Sequence, residues 1–71
     1  MGAVERRSAA MLKKASEMCL KAYQLGQRAL DEYWDSAEEV DRQLDADAKK
    51  AINAAGYART YLADVANDMV S

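Results

Sequence analysis

Large apolar residues in the first half of the chain recur at helical intervals, and they do so in two separate series. The first is strictly heptad: Ser8, Ala15, Ala22 and Ala29 form one row, and Val4, Met11, Met18 and Leu25 form a second row on the same period. Residues three and four apart share one face of a helix. The two rows therefore predict a seam of alternating small and large layers, along which another helix approaches closely. Leu12, Cys19, Gly26 and Tyr33 flank that seam. The second series runs Leu20, Tyr23, Gln27, Leu30 and Trp34 and draws a stripe on another face.

The second half repeats the device, with Ala37, Leu44, Ala51, Ala58 and Val65 set against Ala48, Ala55, Leu62 and Met69. Proline is absent, β-branched residues are sparse, and good helix formers fill both halves. The best break lies after Trp34. Asp35 and Ser36 are favourable N-caps, and Ser36 with Glu39 has capping-box spacing. Glu38, Glu39 and Asp41 then fall in the first turns of the next helix, where its dipole favours acids. The pattern predicts one all-α domain over residues 1–71, an antiparallel two-helix hairpin. Its first helix covers about residues 4–33, its bend about 34–36 and its second helix about 37–69. Met18 then lies opposite Ala51 and Met11 opposite Ala58, and Gly26 and Gly56 mark points of close approach.

If the heptad series closes the hairpin, the second stripe is left over and requires a partner. The expected remedy is dimerisation into a four-helix arrangement through Leu20, Tyr23, Gln27 and Leu30. Composition points the same way. Fifteen of the 71 residues are Ala, which buries little area, and small chains commonly rely on disulfides, metal or association. One Cys and no His leave neither an internal disulfide nor an ordinary zinc site. No apolar run is long enough to span a bilayer, and residues 1–19 hold no signal-peptide core, so a cytoplasmic protein without a membrane partner is expected.

Charge divides unevenly. Residues 1–30 hold six Lys and Arg against two acids, whereas residues 31–71 hold four against ten. Arg7, Lys14, Lys21 and Arg28 recur every seven residues as a basic ridge. Such a ridge either tracks nucleic-acid phosphates or pairs with the second helix near Asp47 and Asp68. Small-large layered hairpins resemble the plasmid-encoded RNA-binding protein Rop in packing pattern, and that resemblance implies an RNA- or DNA-binding dimer. Around the bend the sign reverses, and an acidic collar surrounds Tyr33 and Trp34. An aromatic anchor among acids suits a basic surface on another protein, such as a DNA-binding regulator. The candidate contact set there is Tyr33, Trp34, Glu38 and Asp41.

Other constellations carry less. Tyr57 and Tyr61 stand one turn apart and are expected at the seam's edge with packed rings. Asp45-x-Asp47 opens like a calcium loop but has Lys50 and Gly56 where Gly and Glu are required. No nucleophile–base pair or phosphate-cradling loop is present, so no catalytic residue and no cofactor is expected. In size and plainness the chain resembles the small inhibitors that phages and plasmids direct against host regulators. That resemblance implies a non-enzymatic protein-binding regulator, with a nucleic-acid-binding dimer and a structural subunit of a helical assembly as the other readings.

Overall fold

The computed structural model describes residues 2–71 and consists of two α-helices, α1 (Ala3–Ser36) and α2 (Arg42–Val70), packed along their length. The chain is an all-α hairpin, a rod measuring 56 × 16 × 13 Å.

The bend falls later than the capping box predicts. Ser36 is the last residue of α1, not the cap of α2. The cap is Asp41, whose carboxylate accepts the backbone N–H groups of Gln43 at 2.9 Å and Leu44 at 3.2 Å. Two aromatic side chains explain the extra turn on α1. Trp34 donates its indole N–H to Asp45 Oδ1 at 2.8 Å, and the Tyr33 hydroxyl accepts the Asp41 N–H at 2.8 Å. Helical geometry through residue 34 aims both side chains across the bend, and the helix closes with the Ala37 N–H on the Tyr33 carbonyl at 2.9 Å.

The seam between the helices also differs from the heptad reading. On α1 it runs through Ala9, Leu12, Ser16, Cys19, Tyr23 and Gly26, then on through Leu30 and Tyr33. The residues expected to flank the seam are thus one of its rows. On α2, Ala48, Ala55 and Leu62 face inward as expected, interleaved with Asp45, Ile52 and Ala66. The large residues assigned to the seam lie outside it: Val4 is 64% exposed, Met11 72%, Met18 64% and Leu25 65%. Leu44 and Val65 on α2 are exposed as well.

Conversely, Leu20, Tyr23 and Leu30, assigned to a dimer interface, are half-buried within the hairpin itself. Gln27 stays exposed and donates its amide to the Tyr23 hydroxyl at 2.9 Å.

Backbone proximity decides which face closes. A Cβ added at Gly26 would lie 2.6 Å from Ile52 Cγ1, and one added at Gly56 would lie 3.3 Å from the Tyr23 ring. Glycine at these two points lets Ile52 and Tyr23 settle close to the opposite backbone. Ser16 belongs to the same close contact. Its hydroxyl is buried and donates to the Arg59 carbonyl oxygen at 2.7 Å.

Candidate protein-interaction surfaces

The strict heptad rows of α1 define an extended apolar feature on the outside of the rod. Val4, Met11, Met18 and Leu25 stand in line, each about two turns from the next, and the exposed Ala22 and Ala29 lie beside them. In an antiparallel helix pair, positions immediately beside the seam on one side of each helix fall on the same broad side of the pair. Leu44, Ala51 and Val65 of α2 therefore continue the apolar side that the α1 rows begin. At its bend end this side dips into an apolar notch of about 290 Å³ formed by Leu30, Tyr33, Leu44, Asp45 and Ala48. The result is an apolar side with exposed alanines along both helices, Val4, Met11, Met18 and Leu25 on α1, Leu44 and Val65 on α2, and a notch at the bend end.

The bend end has a different construction. Of the four residues proposed there from sequence, Tyr33, Trp34 and Asp41 hold the bend together by the bonds described above, while Glu38 is exposed on the connection. Trp34 remains 46% exposed, so its ring still offers apolar surface at the tip. Asp45 joins the clasp although it is buried. It accepts from Trp34 on one oxygen, and its other oxygen pairs with Lys49 at 2.9 Å. The Lys49 bond and then the Trp34 N–H hold the Asp45 carboxyl below its ordinary 3.8, against the opposing effect of desolvation. Periodicity alone did not single out this residue. Its signal was an acid on the inward row beside Ala48, one turn from a lysine.

The basic ridge is laid bare. Arg7, Lys14, Lys21 and Arg28 are all exposed, and the Lys49–Asp45 bridge is the one ion pair among the described residues. The expected pairing of the ridge with Asp47 and Asp68 does not form, because the ridge runs along the back of α1, away from α2. Tyr57 and Tyr61 are also open, at 69% and 68% exposure, rather than packed along the seam. Cys19 is half-buried in the seam. No helix among the described residues is long and apolar enough to cross a membrane.

The chain matches no protein-family model, no curated protein and no solved structure.

Proposed function

We propose that this protein is a non-enzymatic protein-binding module, a cytoplasmic homodimer that modulates a second protein by binding it. One observation carries the reading: a full row of large apolar side chains, Val4, Met11, Met18 and Leu25, is left outside a hairpin that has already closed. Burying a side chain of this kind is worth about 1.5–3 kcal/mol, so four of them along one ridge make a strong drive toward a helical partner surface. The acids around the bend, Glu38 among them, favour a basic surface on the second protein, as on a DNA-binding regulator. The part that Tyr33, Trp34 and Asp41 play in that contact is to hold the acidic end in shape, with the open part of the Trp34 ring as its apolar centre.

The experiment is a comparison of wild type with Met18→Glu by circular dichroism and by binding to purified candidate regulators. Retained helicity with lost association supports the reading. Unchanged association with every protein that wild type binds removes the ridge from the function.

A second reading has its own observation. The unpaired basic ridge matches the polyanion-binding requirement of a Rop-like RNA- or DNA-binding dimer. Salt titration of binding to mixed RNA and duplex DNA decides it, and absence of salt-sensitive retention eliminates it.

A further inference from the structure

We infer that the open apolar side is covered by a second copy of the chain laid antiparallel on the first, so that the two bends lie at opposite ends of a four-helix bundle. This rests on the interaction-module reading above and fixes the surface, the occupant and the orientation.

The amount of surface argues for a second copy. The chain exposes 5612 Å², whereas a compact monomer of its 7.8 kDa exposes roughly 4,400 Å². The excess is about 1,200 Å² per chain. Two chains together thus carry about 2,400 Å² beyond two compact monomers, which is in the range of the 2,000 Å² and more that an obligate homodimer buries.

The rows themselves argue for self-complementarity. Laid antiparallel on its own copy, α1 sets Val4, Met11, Met18 and Leu25 against the partner's Ala29, Ala22, Ala15 and Ser8. Every large residue then meets a small one, and each pairing occurs twice about the two-fold axis. The same register brings the partner's Val4 level with Ala29, beside the notch formed by Leu30, Tyr33 and Leu44. A stack with both bends at one end would instead set notch against notch and leave both unfilled.

Charge supports the same orientation. Each bend end carries Asp31, Glu32, Asp35, Glu38, Glu39 and Asp41, with Arg42 the nearest base in the chain. Placing two such ends side by side is repulsive. The antiparallel stack separates them and sets the partner's first turn, Glu5 with Arg6 and Arg7 and so net positive, nearest each. The opposing effect is that both basic ridges share one rim, which their exposure to solvent and salt screening keep small. The dimer then offers two identical acidic, Trp-bearing ends to a second protein, one at each end of the rod.

The test uses the full chain with Cys19→Ala and a spin label on Glu38→Cys, read by pulsed dipolar spectroscopy, alongside sedimentation at several concentrations. Opposite-end bends give a label distance of about 55–65 Å, from the 1.5 Å rise per helical residue. A dimer with labels within about 30 Å overturns the orientation, because neighbouring helix axes are only 8–10 Å apart. A helical monomer at all concentrations overturns the second copy, and if Met18→Glu still abolishes capture of another protein, the module reading stands without it. In the native dimer Met18→Glu raises the dissociation constant at least 100-fold; a dimer indifferent to it is built on another face. Should that variant unfold, the label distance in the Met18 chain still decides.

Discussion

Gly26 is the tighter of the two glycine contacts between the helices. Helix propensity alone favours alanine there by about 1 kcal/mol, but the added Cβ would press on Ile52, whose β-branched side chain is stiff at χ1. Overpacking of this kind costs about 1–3 kcal/mol, so Gly26→Ala is expected to lower the melting temperature. In a double-mutant cycle with Ile52→Ala the two losses should fall short of additive; strict additivity would mean that the pair does not touch. Asp45 makes the other residue-scale prediction. Its carboxyl is depressed when folded, so its contribution is complete above 3.8 and is lost as pH falls through the lower folded value. Melting curves of Asp45→Asn should therefore vary less than wild type with pH below about 4, and a parallel acid dependence would contradict the clasp. Periodicity leaves Ser16 unmarked and marks Asp45 only by its place one turn before Ala48. Each is a polar residue whose burial depends on a partner far along the chain, the Arg59 carbonyl or the Trp34 indole.

At the scale of the helices, the sequence showed two long elements and one bend because helix formers and the absence of proline leave few alternatives. The bend's position was less legible. Ser36 with Glu39 and Asp41 alone are both acceptable helix starts, and local capping rules do not rank them. The choice is made by Tyr33 and Trp34, which continue α1 in order to reach Asp41 and Asp45. Capping variants separate the two starts. Asp41→Ala should cost about 1 kcal/mol of stability in chemical denaturation, and Ser36→Ala close to nothing. Equal losses, or the reverse order, would return the cap to Ser36.

For the molecule as a whole, both apolar stripes are visible in the sequence, but the heptad row Val4, Met11, Met18 and Leu25 lies outside, and the seam runs through the row expected to flank it together with Tyr23 and Leu30 of the second stripe. The strict heptad predicts the seam because its rows are cleaner. The true seam carries Gly26, the point of close approach expected from the sequence, and Ser16, a polar residue that periodicity does not mark. Periodicity reports that a face is apolar; it does not report which of two apolar faces the chain closes on itself. If association stabilises the rod, its melting temperature must rise with protein concentration. A melting temperature independent of concentration over a hundredfold range would show that the lone hairpin supplies all the stability. Trp34 makes such measurements convenient. It is the only indole in the chain, and it hangs on a carboxylate of the other helix across the turn. Its fluorescence therefore serves as a native optical gauge of whether the two arms are latched, with no dye or added chromophore.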